Sequence, residues 1–235
     1  MARRRFFVDQ VREGEAEISG EDALHLTRVL RVEVGQKFEI SDNKQVWLAS
    51  VEMARKELVR FRVIEELAGG DGTAPVTLYL ALIKFDRFEW AVEKATELGV
   101  TRIVPVEADR SERGLFAGAQ KRVDRWRRIA KEASEQSRRL RMPEVGDPVR
   151  LVEAITDATT VRIWFDERPE AASLCRVYFP GEAALAVGPE GGWTDHERDG
   201  FAATGWKAAS LGPLILRAET AVCAALAVVS QLQLK

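Results

Sequence analysis

Two domains of different class are expected in this chain: a small β-barrel, then a mostly parallel α/β domain. Three observations predict them. Up to about residue 67 the chain reads as short β-type runs with one helix among them. A polar, glycine-rich link follows, Ala68-Gly-Gly-Asp-Gly-Thr-Ala-Pro75. Beyond it, apolar runs of strand length alternate with helical patterns, as parallel α/β sheets require. The domains are drawn at residues 1–70 and 74–235.

The elements follow in order. β-type composition or alternation marks strands at 5–8, 15–18, 37–41, 45–51 and 58–65. The helix among them covers 23–30, with Ser19 and Asp22 as a capping pair. After the link, 76–83 is apolar throughout, the mark of a strand covered on both faces. Asp86 reads as the N-cap of a helix over 87–98 that ends at Gly99. A strand at 102–106 completes a βαβ unit, whose crossover is expected to be right-handed. A long helix covers 119–139, and further strands fall at 161–165 and 183–187. Thr194 and Glu197 form a capping box for the next helix. A strand at 208–211 precedes an apolar last helix over 218–232.

Two of these strands empty into Gly-Pro loops. The first is Gly188-Pro189-Glu190-Gly191-Gly192, the second Gly212-Pro213-Leu214-Ile215-Leu216-Arg217. Glycine admits a ligand close to the backbone, and proline stiffens the turn. Set at adjacent strand ends, such loops make a pocket whose hydrogen bonds come largely from main chain. A flat, uncharged group such as a purine suits it.

Composition narrows the chemistry. With 46% hydrophobic residues a folded core is expected, and a net charge of −2 does not by itself announce nucleic acid. The two cysteines, Cys175 and Cys223, form no CxxC, which excludes a cysteine-based zinc site and a disulfide framework and suits a reducing cytoplasm. No signal-like apolar run stands at the N-terminus, and polar residues interrupt the last helix, so no membrane association is expected. No P-loop motif occurs, and Gly70-Asp71-Gly72 lacks the strand and helix a dinucleotide fingerprint needs. His25 and His196 have no metal-ligand spacing, so no metal is expected; both read as surface or packing residues.

What remains is chemistry that needs positioning more than an activated side chain. Methyl transfer from S-adenosylmethionine fits: its sulfonium already makes the methyl electrophilic, and alignment of donor and acceptor lowers the barrier. A uracil ring nitrogen as acceptor must also lose a proton or have its charge stabilised. Arg217 is the best-placed cation for that task; the alternative is a structural ion pair with Glu219 or between helices. Glu190 either recognises a ligand donor or caps the following turn. From Arg110 to Arg141 stand eleven Lys or Arg against four acids, about +7, the footprint of phosphate-backbone binding. Arg3, Arg4, Arg5, Arg28 and Arg31 make a second basic group, beside Phe6 and Phe7, which either stack on bases or fill the barrel.

Five ordered blocks carry a family resemblance. They are Arg4-Arg5-Phe6-Phe7-Val8 with His25-Leu26-x-x-Val29-Leu30-Arg31; Lys84-x-Asp86-Arg87-x-Glu89-Trp90 with Lys94-Ala95-Thr96-Glu97-Leu98-Gly99-Val100; Glu135-Gln136-Ser137; Val187-Gly188-Pro189-Glu190-Gly191-Gly192; and Leu211-Gly212-Pro213-x-Ile215-Leu216-Arg217-x-Glu219-Thr220-Ala221. The chain resembles the RsmE family of bacterial 16S ribosomal RNA methyltransferases, in the SPOUT superfamily. The resemblance implies a PUA-like barrel that helps hold RNA, then a SPOUT domain with a C-terminal trefoil knot. It implies a homodimer that binds S-adenosylmethionine bent in the knot and methylates uracil N3 of one uridine in the small-subunit rRNA. By matching positions the cofactor residues would be Val187, Gly188, Pro189, Glu190, Gly191, Gly192, Leu211, Gly212, Leu216, Arg217, Glu219 and Thr220, with Phe165 at another strand end. Arg217 would be catalytic. Arg3, Arg4, Arg5, Arg28, Arg31, Arg122, Arg125, Arg138 and Arg139 would grip RNA. Phe85 and Arg138 stand where the family often has glycine, and Leu214 where it often has arginine. Two rival functions share these features: a non-enzymatic RNA-binding or ribosome-assembly factor, and a SPOUT enzyme modifying transfer RNA.

Overall fold

The structure is a computed structural model and describes residues 4–70, 72, 74–156, 161–168 and 171–234. Arg3, and Asp71 and Thr73 of the glycine-rich link, lie outside the described residues. Two compact units emerge. One takes the described residues within Met1–Asp71 together with Ser134–Met142; the other takes those within Gly72–Ala133 and Pro143–Lys235. Residues 134–142, which the sequence places in the second domain, thus cluster with the first.

The first unit contains β1 (Arg5–Phe7), β2 (Glu15–Ser19), α1 (Gly20–Leu24) continuing into a π-helical turn at His25–Val29, β3 (Lys37–Ser41), β4 (Val46–Arg55) and β5 (Leu58–Leu67). The strand order is β1-β3-β4-β5-β2, with β1 parallel to β3 and every other pair antiparallel. Register shifts between Leu48 and Ala49 and between Val51 and Met53 interrupt the β4–β5 ladder. Such bulges increase local twist, and the sheet is a curled half-barrel with β1 and β2 at its edges. Phe6, Ile18, Ile40, Val51, Val59 and Phe61 fill its concave side. Phe6 and Phe7 are both buried, so they belong to the core and offer no face to a base. Ser19 occupies the N-cap of α1 without a side-chain capping bond, so the expected Ser19–Asp22 capping pair is not formed.

Glu39 organises the rest of this unit. Its carboxylate is buried and accepts from Arg5 Nε at 3.2 Å and Nη2 at 2.8 Å, and from Arg138. Arg5 Nη1 donates to the Arg138 carbonyl at 2.6 Å, and Ser41 Oγ to the Leu140 carbonyl at 2.6 Å. Arg138 has φ +58°, a left-handed conformation that L side chains enter at a penalty. That conformation explains why glycine suits the position, and the Glu39 contacts offset the penalty for arginine.

The second unit contains β6 (Val76–Ala81), α2 (Phe85–Glu97), β7 (Arg102–Glu107), α3 (Leu115–Ala119), the start of α4 (Val123–Ser137), β8 (Glu144–Val145), β9 (Val149–Arg150), α5 (Leu151–Ala154), β10 (Val161–Phe165), β11 (Ala172–Ser173), α6 (Leu174–Val177), β12 (Ala183–Val187), α7 (Asp195–Ala203), β13 (Lys207–Ser210) and α8 (Ala218–Gln233). Its eight strands are all parallel, in the order β11-β13-β10-β12-β6-β7-β8, with β9 also on β7. Period-2 alternation divides the apolar run of β6 between two cores. Val76, Leu78 and Leu80 join α2, α4 and α8 residues on one face. Tyr79 and Ala81 join Trp164, Trp193, Phe201 and Trp206 on the other. Trp164 and Phe201 stack at 5.2 Å between ring centroids.

Two local expectations need correction. The N-cap of α2 is Lys84, and Asp86 lies in the first turn, where a carboxylate still favours the positive helix end. The helix expected over 119–139 is α4, over Val123–Ser137, and residue 119 closes the separate α3. Around residues 118–122 the amides of Lys121 and Arg122 bond three residues back instead of four, to Gly118 and Ala119. Phe85 fits beside Gly118, where a Cβ would lie 3.0 Å from its Cζ, and Arg122 Cζ lies 4.4 Å from the ring centroid.

Candidate active site

The cleft sits at the C-terminal ends of three strands. The Gly188–Gly192 loop leaves β12 and the Gly212–Arg217 loop leaves β13, but β10 stands between these strands. The loops are therefore not at adjacent strand ends, as their sequence order suggested. The end of β10, Phe165-Asp166-Glu167, lies between their strands and lines the cleft with them. The cleft encloses about 200 Å³. Phe165, Val187, Gly188, Pro189, Glu190, Gly191, Gly192, Leu211, Gly212 and Leu216 all line it, so ten expected residues meet in one place. Asp166, Glu167, Trp193, Ser210, Leu214, Ile215, Ala218 and Ala221 join them.

Two glycines are required by geometry. A Cβ on Gly188 would lie 2.9 Å from Cε2 of the buried Trp193 indole. Gly192 has φ +68°, and its Cβ would lie 2.9 Å from Glu167 Oε1. The indole is pinned, since Trp193 Nε1 donates to the Phe165 carbonyl at 3.0 Å. The first loop is held from three further sides. Arg110 Nη1 donates to the Gly191 carbonyl at 2.7 Å. Thr194 and Glu197 form the expected capping box at the start of α7, and Glu197 Oε1 also accepts from the Asp109 amide at 2.8 Å. Arg87 donates to Glu190, an ion pair that neither sequence reading of that carboxylate included.

Beneath the cleft lies a buried ion pair that sequence reading missed. Arg198 on α7 donates from Nε to Asp166 Oδ2 at 3.2 Å and from Nη2 to Oδ1 at 3.0 Å. It also reaches Glu167 at 3.2 Å and the Trp193 carbonyl. The hydrogen bond it donates to Asp166 holds the Arg198 guanidinium above its ordinary pKa. An Asp-Glu pair ending an apolar strand was the available signal; its arginine lies some thirty residues on and could not be matched by spacing.

The remaining expected residues lie elsewhere. Arg217 is the exposed N-cap residue of α8, is not among the residues lining the cleft, and makes no ion pair among the described residues. The structural pairing with Glu219 is thus not formed. Glu219 instead faces Arg87 Nε at 4.0 Å, and Thr220 is exposed. Of the basic residues, Arg5 and Arg139 are buried, which removes them from a phosphate-facing surface. Arg138 is committed to Glu39, and Arg4 lies 3.9 Å from Glu135. Arg122 and Arg125 converge on Glu89, at 3.0 Å and 2.7 Å, so part of the basic strip is neutralised from α2. Arg28 and Arg31 are exposed and make no ion pair among the described residues.

The charged residues that line the cleft are Asp166, Glu167 and Glu190; among the described residues no Lys or Arg lines it. Each carboxylate has an arginine partner outside the lining, Arg198 for Asp166 and Glu167 and Arg87 for Glu190. Leu214 and Ile215 stay 77% and 85% exposed at the edge of the cleft, an apolar lip. Among the described residues no group of three His, Cys, Asp or Glu is placed to hold a metal ion, and no helix is long and apolar enough to cross a membrane.

A parallel sheet with its crevice at the carboxyl ends of the strands defines the class of α/β ligand-binding enzyme domains. Residues 71–230 match the family model described as an RNA methyltransferase domain, and residues 18–64 one described as an RNA methyltransferase PUA domain. The chain belongs to this RNA methyltransferase family, among the proteins named ribosomal RNA small subunit methyltransferase E. It is 34% identical to the Synechocystis protein of that name over 95% of this chain and 75% of the relative. It is 32% identical to the Bacillus subtilis one over 97% and 96%. A Legionella pneumophila methyltransferase solved with bound S-adenosylmethionine superposes with TM-score 0.90 at 27% identity, covering 98% of each chain. The Neisseria gonorrhoeae ribosomal RNA small subunit methyltransferase E, also with S-adenosylmethionine, superposes with TM-score 0.85 at 27% identity over 98% of each.

Proposed function

We propose that this protein is an S-adenosylmethionine-dependent methyltransferase acting on uracil N3 of a uridine in 16S rRNA of the small ribosomal subunit. One observation carries the cofactor assignment: a cleft walled by two Gly-Pro loops and the end of β10. The residues fit the group. Main chain of 188–192 and 210–216 offers donors and acceptors for an adenine, and the glycines leave room for its close approach. Family membership and the two cofactor-bound relatives support the same reading.

S-adenosylmethionine, when bound, supplies an activated methyl, so no nucleophile is asked of the protein. The two loops and the end of β10 orient it. Arg217, exposed and without an ion pair beside the second loop, is the cation that stabilises negative charge developing on the uracil. The half-barrel unit, with Arg28 and Arg31 exposed, contacts RNA phosphates. Threading of the C-terminal segment into a trefoil knot, pairing of two copies through that region and a cytoplasmic location complete the proposal.

The test is methylation of 16S rRNA and of small subunits with labelled S-adenosylmethionine, read by mass spectrometry. A 3-methyluridine in the product is expected. Cofactor binding without transfer to either RNA would favour a ribosome-assembly factor, and transfer to tRNA alone would favour the tRNA-modifying alternative.

A further inference from the structure

We propose that Arg87 is a positioning residue that ties the two walls of the cleft together; this rests on the methyltransferase reading above. Arg87 stands in the first turn of α2, outside both loops, and is not among the residues lining the cleft. Its Nη1 donates to Glu190, in the middle of the first loop. Its Nε lies 4.0 Å from Glu219 Oε1, in the first turn of α8, directly after the second loop. One guanidinium thus faces an acid from each wall.

The two acids are not equivalent. The Glu219 side chain is 13% exposed and that of Glu190 46%. Glu219 Oε2 is buried and has no hydrogen-bond partner among the described residues. A buried, unsatisfied carboxylate oxygen needs a counter-charge more than an exposed one does. Glu219 therefore holds the guanidinium near α8, and the guanidinium in turn holds Glu190 and its loop. Without Arg87, the Glu190 loop loses its tie to α2 and the Glu219 carboxylate loses a neutralising charge. The distance between the loops, and with it cofactor affinity, is what Arg87 controls. The charge stabilisation assigned to Arg217 during methyl transfer is not.

Calorimetric titration with S-adenosylmethionine tests this on the wild type, Arg87→Ala, Arg87→Lys, Glu190→Gln and the Arg87→Ala/Glu190→Gln double variant. Thermal melts check folding. Arg87→Ala and Glu190→Gln are each expected to raise Kd about fivefold, the scale of a partly exposed ion pair. The double variant binds no worse than Arg87→Ala alone, Arg87→Lys recovers part of the loss, and kcat of Arg87→Ala at saturating cofactor stays unchanged. Wild-type affinity in Arg87→Ala, multiplicative losses in the double variant, or a fall in kcat at unchanged Kd would overturn the proposal. Should Arg87→Ala fail to fold, Glu190→Gln and Glu219→Gln carry the test with the same expected rise. A wild type that binds no cofactor defeats the methyltransferase reading itself, whereas normal wild-type binding with an unaffected Arg87→Ala defeats only the role of Arg87.

Discussion

Replacing Arg198 by Met removes the cation beneath the cleft and leaves Asp166 as a buried, uncompensated carboxylate. Both residues are less than a tenth exposed, Arg198 at 9% and Asp166 at 7%. Three contacts to the two carboxylates, at 3.2, 3.0 and 3.2 Å, are lost, together with the bond to the Trp193 carbonyl. The Asp166 carboxylate keeps only the Arg168 amide, at 3.4 Å, among its hydrogen bonds in the described residues. Breaking a buried pair from one side destabilises by about 3–5 kcal/mol. For a chain of this length that corresponds to a Tm lower by about 10 °C. Asp166→Leu should lose less, about 1–3 kcal/mol, because Arg198 keeps Glu167 and the Trp193 carbonyl as partners. The Arg198→Met/Asp166→Leu double variant removes both charges and should recover to within about 2 kcal/mol of wild type. Urea denaturation followed by tryptophan fluorescence, with Trp193 and Trp164 as nearby reporters, measures all three. Single variants that lose under about 1 kcal/mol, or a double variant whose loss equals their sum, would refute the reasoning.

Three further outcomes are expected. Gly188→Ala pushes a methyl against the Trp193 indole, 2.9 Å away, and should destabilise by about 1–3 kcal/mol while weakening S-adenosylmethionine binding; urea melts and calorimetry check it, and unchanged values in both would contradict it. Arg217→Ala should leave cofactor affinity within about twofold and lower single-turnover methyl transfer about 100-fold; equal losses in both would place Arg217 in binding instead. The hydrogen bond from Arg168, with its charge, holds Asp195 below its ordinary pKa. Its contribution to stability is therefore complete above the usual carboxylate range and lost as pH falls through the depressed value. Wild type should be more stable than Asp195→Asn at pH 7, and the two should converge below that value in urea melts across pH.

Much of the site was legible in the chain because it is local. A Gly-Pro loop after an apolar run carries its own turn chemistry and marked both walls, and the resemblance to the RsmE family named ten of the lining residues before any coordinates. The capping box at Thr194 and Glu197 spans three residues and formed as expected. The arginines were less legible, since charge says nothing about which partner a long side chain reaches. Arg5 and Arg139 read as RNA contacts and are buried, and Arg122 and Arg125 turn to Glu89 on another helix.

By itself, the sequence determined the order and type of most elements, a small barrel-like β unit followed by a parallel sheet, and the two loops that wall the cleft, because periodicity, turn residues and caps act within a few residues of chain. Only the tertiary structure decided that β10 lies between β12 and β13 and brings Phe165-Asp166-Glu167 into the cleft. It alone joined Asp166 to Arg198 and Arg87 to Glu190 and Glu219. Strand order and charge pairing depend on residues far apart along the chain, whose meeting is chosen by how whole elements pack.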